Sequence, residues 1–352
     1  MWNSEEKCLL WLDSFPLEPA QKHSLLQRAG GAGALVKGFA ELEKEFRDGE
    51  LFQKMLATLS DGEYFARLKK GLEREKITPV FYGGDGYPKG WLTLADAPVC
   101  LYAKGKKEFL GEELFAAVGS RRTIESARKL GAKIAKELTE RFAVATGSAD
   151  GGDEAVLQGA LDGGKAVCLL AGGFGFAPKE NPLLGRVEKE GLLLAACPYD
   201  TAVRVFSYEY RNKLLAAMSS GVLVLGAAEK SGALITAKYA AAYSKKVFAI
   251  PYAPSVAAGV GCNRLIKDGA YLTESAKDIF EQYGFKGTEK PKIPLTETEE
   301  RAANFLAERG EAHIGEISSA LGIPTYRLAT VLSSLEIKGV AVKLGGNRYS
   351  LM

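Results

Sequence analysis

Five short segments of the chain combine glycines, hydroxyls, amides and cations at spacings suited to holding an anion. In Val118-Gly119-Ser120-Arg121-Arg122-Thr123 the glycine permits close backbone approach, and Arg121 offers a planar fork to phosphate oxygens. In Thr146-Gly147-Ser148-Ala149-Asp150-Gly151-Gly152-Asp153 small residues leave room at a helix start, which Asp153 is placed to cap. Phe206-Ser207-Tyr208-Glu209-Tyr210-Arg211-Asn212-Lys213 sets aromatics beside two cations and an amide. A groove for one polynucleotide strand needs that mixture, because each base has a face to stack on and each nucleotide carries a charge. In Glu229-Lys230-Ser231-Gly232 the Ser231 hydroxyl and the Gly232 amide are phosphate donors, with Glu229 and Thr236 as braces. Gly261-Cys262-Asn263-Arg264 adds a further amide and cation.

Each segment also has an ordinary explanation. A strand-to-helix turn often carries a surface arginine, Tyr208 and Tyr210 suit a helix that begins with core aromatics, and Asp150 beside a phosphate is repulsive. Together, several donor-rich turns without an evident nucleophile and base pair point to polyanion binding rather than catalysis.

The elements that must position these turns follow from hydrophobic patterning. From about 110 to 284, apolar runs (LFAAVG, FAVATG, KAVCLLAGG, LLLAAC, VLVLGAA, KVFAIP) alternate with helical patterns near 124–140, 153–162 and 232–244. That alternation predicts an α/β domain, a mostly parallel Rossmann-like sheet covered on both faces. Ligands of such sheets bind outside the carboxyl ends of the strands, which puts the loops starting at Gly119, Gly147, Gly172 and Ala227 on one rim. Residues 1–75 read as a small helical, SAM-like domain broken at Gly30, Gly31 and Gly33. That break suits a plain interhelical turn better than a helix-hairpin-helix contact to phosphate. Residues 76–109, rich in Gly and Pro, read as an extended connector packing on the central domain. Residues 285–294 read as a linker, and 295–352 as three helices and a two-stranded ribbon turning at Gly345 and Gly346, a winged helix.

Composition narrows the function classes. With 352 residues, 46 Lys and Arg against 43 Asp and Glu, and a net charge of +3, any nucleic-acid surface must be a local arrangement. The 5 cysteines (Cys8, Cys100, Cys168, Cys197, Cys262) form no CxxC pair, and only His23 and His313 are available to complete a metal site. The expectation is a reduced, cytoplasmic chain with no metal and no cofactor. The acidic start MWNSEEKCLLWLDSF is unlike a secretory signal, and no apolar run approaches a membrane span.

The segments in order resemble the DprA/Smf family of DNA-processing proteins. The resemblance covers most of the chain and is carried by GDGYPKGWLTLADAPVCLYAKG, VGSRR at 118–122, TGSADGGDEAVLQGAL at 146–161, RNKLLAAMS at 211–219, EKSGALITA at 229–237 and GCNRLIKDGA at 261–270. It implies an extended Rossmann-like fold that binds single-stranded DNA without catalysis. It further implies a homodimer that hands strands to a RecA-type recombinase during DNA uptake. Phosphate contacts carry over to Arg121, Arg211 and Lys213, and close strand approach to Gly119, Gly147 and Gly232. The remaining site expectations are Ser120, Ser148, Phe206, Asn212, Ser231, Asn263 and Arg264. The chain is a divergent member by this comparison: Asp150 stands where a basic residue is frequent, Gly152 for isoleucine, Leu157 for histidine, Tyr252 for glycine and Gly226 for glutamate.

Two rivals remain on related folds, a sensor for a small nucleotide and a phosphoribohydrolase. The latter resemble one another through PGGxGTxxE, and the nearest string here, AGGFGFAPKE, lacks the threonine. Residues 289–352 hold 8 Lys and Arg against 8 Asp and Glu, a neutral module expected to contact protein, with Arg327 and Arg348 as the cations to test.

Overall fold

The computed structural model describes residues 3–46, 48–178, 181–285 and 294–351. The chain divides into two compact units, Met1–Phe285 and Lys286–Met352.

The first unit opens with helices α1 (Ser4–Asp13), α2 (Pro19–Ala29), α3 (Ala32–Lys37), α4 (Gly49–Leu59) and α5 (Tyr64–Arg74). Trp11, Phe39, Phe52 and Met55 fill the core among them. Gly30 ends α2 at φ 76°, a left-handed position that suits glycine, so the glycine break is a turn between packed helices. A buried polar joint fastens these helices to the sheet. The Asp13 carboxylate accepts from Lys22 Nζ at 2.7 Å and from the Tyr102 hydroxyl at 2.7 Å.

The connector is part of the sheet itself. It supplies β1 (Thr78–Phe81) and β2 (Cys100–Gly105), which pair antiparallel with each other, and β2 pairs antiparallel with a later strand through Tyr102 and Ala195. Between them Trp91 is fully buried and donates Nε1–H to the Leu214 carbonyl at 2.8 Å. The alternating pattern that follows yields β3 (Leu114–Gly119), α6 (Glu125–Leu138), β4 (Ala143–Thr146), α7 (Gly152–Gly163), β5 (Ala166–Leu170), α8 (Pro182–Glu190) and β6 (Leu192–Ala195). After these come α9 (Val205–Met218), β7 (Gly221–Gly226), α10 (Gly232–Ala242), β8 (Lys246–Ala249), α11 (Val260–Lys267), β9 (Tyr271–Leu272) and α12 (Ala276–Gln282).

The sheet order is β1-β2-β6-β5-β4-β3-β7-β8-β9, parallel from β6 to β9. Strand alternation sorts its two faces. Ala116 and Val118 pack with Leu214, Val222 and Val224 on one side, and Phe115 and Ala117 with Ile134, Val144 and Phe248 on the other. Leu157, at the position where the resemblance leads one to expect histidine, is simply part of this second core. The chain leaves β3 toward β4, β5 and β6, then returns to place β7 on the other side of β3. That reversal puts the loops after β3, β4 and β7 side by side.

The second unit contains α13 (Glu297–Arg309), β10 (Glu311–His313), α14 (Ile314–Leu321), α15 (Thr325–Ile337), β11 (Ala341–Lys343) and β12 (Arg348–Leu351). The expected ribbon has a third strand: β10 pairs with β12 on the side away from β11. Residues 286–293, most of the expected linker, lie outside the described residues.

Glu299 ties α13 to α15. Its carboxylate accepts from Lys338 Nζ at 2.7 Å, Ser334 Oγ at 2.6 Å and the Thr296 amide at 2.7 Å. These donors, Lys338 foremost, hold its carboxyl down from the ordinary 4.5 to about 2. A depressed folded value stabilises the unit above 4.5, and that contribution is lost as pH falls from there toward about 2. Glu299→Gln is expected to flatten the acid sensitivity of α13 and α15 across that window, measured by hydrogen exchange. An acid profile matching the wild type would show that the latch carries no linkage.

Candidate functional site

At the reversal, two loops meet without intervening side chains. The Ser120 amide donates to the Gly226 carbonyl at 2.9 Å, and the Gly152 amide to the Ser120 carbonyl at 3.1 Å. A Cβ at Gly119 would come within 2.7 Å of the Gly152 Cα, and one at Gly152 within 2.3 Å of the Gly119 Cα. The glycines therefore serve loop-to-loop packing. Gly151, at φ 82°, lies so close that a Cβ there would sit 2.9 Å from the Arg121 Cα. The Arg121 and Arg122 side chains point out to solvent.

Asp153 holds this junction together. It is 3 % exposed and does not cap α7; instead Glu154 accepts the Gly151 amide at 3.2 Å. The Asp153 carboxylate accepts the Gly119 amide at 3.0 Å through Oδ1 and Arg211 Nη1 at 3.3 Å through Oδ2. Arg211, expected as a phosphate ligand, is 6 % exposed and engaged inside the protein, and its Nε has no hydrogen-bond partner among the described residues. Gly147 is explained by the same pair, because a Cβ there would lie 1.2 Å from Arg211 Nη1 and 2.5 Å from Asp153 Oδ2. Beneath it, Cys168 Sγ donates to the Gly147 carbonyl at 3.4 Å, and burial pushes its thiol up to about 12. That cysteine is an inert core group.

The other expected residues divide between braces and open surface. Asn212 is buried and donates Nδ2–H to the Gly232 carbonyl at 3.1 Å, which docks α9 against the start of α10. Lys213 pairs with Asp96 at 2.5 Å. Asn263 grips the Tyr252 backbone from both sides, accepting its N–H at 2.9 Å and donating to its carbonyl at 2.8 Å. Arg264 is exposed and pairs along its own helix with Asp268 at 2.9 Å. Ser231 caps α10 by accepting the Ala233 amide at 3.3 Å. Gly232 is exposed, and the nearest atom to a Cβ there is Asn212 Nδ2 at 4.0 Å, so nothing in the protein crowds that position. Ser148 is half-buried in the loop after β4.

On the loops after β3 and β7 the exposed cations Arg121, Arg122 and Lys230 have no ion-pair partner among the described residues. Two exposed carboxylates adjoin them, Asp150 on the loop after β4 and Glu229 beside Lys230 on the loop after β7. Beyond β6, the first turn of α9 carries Phe206, 56 % exposed, and the guanidinium of Arg204 just before the helix sits 5.9 Å from its ring centroid. Arg204, together with the exposed Val205 and Phe176, went unread in the sequence. The signal was present in AVRVFSY, an arginine followed by two apolar residues that open the helix. Cations, an unobstructed glycine and an exposed arginine-backed ring can hold a phosphodiester and stack a base. Among the described residues no group of three His, Cys, Asp or Glu is placed to hold a metal ion, and no helix is long and apolar enough to cross a membrane.

Residues 78–284, the sheet and its loops, match the family model for DNA recombination-mediator protein A. The DNA processing protein DprA of Streptococcus pneumoniae is 32% identical over 204 residues, 57% of this chain and 72% of that protein. The X-ray structure of DNA processing protein A from the same species superposes with a TM-score of 0.69 at 27% identity, covering 81% of this chain and 99% of that one. DNA processing protein A from Helicobacter pylori, solved to describe its single-stranded DNA binding mode, shares the fold with a TM-score of 0.54 at 24% identity, covering 59% of this chain and 95% of that one.

Removing one partner of a buried ion pair leaves an uncompensated charge and costs about 3–5 kcal/mol, whereas removing both costs less. Asp153→Ala is therefore expected to lower unfolding stability in urea by about that amount, and Asp153→Ala with Arg211→Met to recover a large part of it. A loss below about 1 kcal/mol for Asp153→Ala would mean that the loops hold their places without the carboxylate.

Proposed function

The chain belongs to the DNA recombination-mediator protein A family, and from that membership we propose that it binds single-stranded DNA along the carboxyl rim of its sheet, without chemistry of its own. The observation that carries this reading is the set of unpaired, exposed cations Arg121, Arg122 and Lys230 on adjoining loops, beside the unobstructed Gly232. Phosphates bind there, and bases stack on Phe206 backed by Arg204. Arg211, Asn212 and Asn263 act one step back, by fixing the loops that present these groups. The binding mode described for the Helicobacter pylori protein gives the same class of ligand.

The edge strand β9 exposes Tyr271 and Leu272, and Val260 is exposed on α11. An open edge with apolar side chains suits pairing with a second copy, and a homodimer is proposed on that ground. The second unit, read as a winged helix with balanced charge, suits a protein partner better than duplex DNA, and a RecA-type recombinase is the partner proposed for the whole protein.

The hydrolase reading has less support. In AGGFGFAPKE, Phe174–Phe176 forms a single tight turn, and the amides of Gly173 and Gly175 donate to the carbonyls of Thr201 and Tyr199. Those two donors are already engaged. Lys179 and Glu180 lie outside the described residues.

Affinity for an oligo-dT strand should exceed that for a duplex of equal length and fall with rising salt. Arg121→Ala should weaken it for every sequence alike and make the log–log salt slope shallower by about 0.7, the share of one released counterion on a single strand. Asp150→Lys, which exchanges a repulsive charge for an attractive one, should move affinity the other way. Unchanged affinity and slope in a folded Arg121→Ala protein would remove the loop after β3 from the DNA path.

A further inference from the structure

In open α/β sheets a small nucleotide binds in the crevice outside the strand ends where the strand order reverses, which here lies between β3 and β7. This chain fills that crevice with its own side chains. Tyr252 enters from the loop after β8, and its hydroxyl donates to the Leu225 carbonyl at 2.6 Å. Its ring lies on Gly259, where a Cβ would come within 1.9 Å of the Tyr252 Cγ, so the glycine makes room for the ring. The two Asn263 hydrogen bonds pin its backbone at 2.9 and 2.8 Å. From the opposite side Thr123 is fixed by donating Oγ1–H to the Ser120 carbonyl at 2.8 Å.

The two side chains meet over Gly226. A Cβ there would lie 2.6 Å from Thr123 Oγ1 and 2.8 Å from the Tyr252 hydroxyl. Gly226 and Tyr252 are thus one coupled choice, a residue without a side chain on the strand and a large one reaching over it. Tyr252 packs on both core layers of the sheet, at the seam where they approach each other at the strand ends. It closes the crevice, while the phosphate-binding groups Arg121, Arg122 and Lys230 stay exposed outside it.

We propose that Tyr252, seated over Gly226 against Thr123, is a specificity-determining residue that shuts the switch-point crevice to free nucleotides and leaves the outer rim to polynucleotide. The proposal rests on the reading of that rim as the DNA-binding surface. A free nucleotide must enter the crevice to bury its base and sugar; a strand lies across the loops and needs no such depth.

The test uses the full-length protein and adenosine 5′-monophosphate and diphosphate as probes, titrated by calorimetry into wild type, Tyr252→Phe and Tyr252→Ala. Wild type and Tyr252→Phe, which keeps the ring in place, should bind either nucleotide at least tenfold more weakly than Tyr252→Ala. Equal binding by wild type and Tyr252→Ala, or no gain in a folded Tyr252→Ala protein, would overturn the proposal. If Tyr252→Ala does not fold, Tyr252→Leu keeps apolar contact with Gly259 while emptying the hydroxyl end of the site, and the same tenfold criterion applies to it. Oligo-dT is titrated into the wild type in parallel, so failure of the single-strand reading registers there, independently of the nucleotide result.

Discussion

The Asp153 carboxylate is the constraint on which the rim depends. One oxygen holds the Gly119 amide and the other holds Arg211, so a single buried group joins the end of β3, the start of α7 and the middle of α9. From that junction follow the direct contact of Gly119 with Gly152, the absence of a side chain at Gly147, and the outward course of the Arg121 and Arg122 side chains. Docking α9 also sets where Arg204 and Phe206 emerge. A buried ion pair is a poor source of net stability, because desolvating both charges offsets much of their attraction. Its use here is geometric: it fixes three backbone segments at once in a region made of glycine-rich turns, which would otherwise have many conformations to choose from.

The chain spends several of its cations internally. Lys22, Arg211 and Lys213 are struts, each paired with an aspartate that belongs to a different element. A net charge of +3 therefore says little about the surface. What distinguishes the rim is which cations lack a partner there; those are few, and the carboxylates Asp150 and Glu229 stand on the same or an adjoining loop. Such a surface predicts contacts that are individually weak and screened by salt, at a rim whose backbone is already in place.

Much of the fold was legible because its strands are apolar runs and its helices amphipathic, two periods that are hard to confuse over a central domain of this size. The parts that were missed are those without such a period. β1 and β2 lie among Gly and Pro, and β10 is three residues long, too short to show alternation. The loops do gather at the carboxyl ends of the strands, as their order in the sequence implies, but the roles of the residues within them were harder to read. An arginine after a run of aromatics in a helix looks solvent-facing, and only the packed structure shows Arg211 turned inward against Asp153. An aspartate at a helix start looks like a cap, yet Asp153 reaches across to β3 while Glu154 does the capping. Glycines at 119 and 147 read as room for a ligand, and their neighbours turn out to be the protein's own atoms. Gly232 is the one of the three that faces open space.

The central question is whether a DNA strand lies across the loops that Asp153 assembles. Hydrogen exchange of the full-length protein with and without saturating oligo-dT measures this directly. Bound oligo-dT should slow exchange in peptides covering 119–123, 148–151, 204–208 and 229–232 and leave the second unit unaffected. Protection confined to 295–351, with those four segments unchanged, would put the strand on the second unit instead.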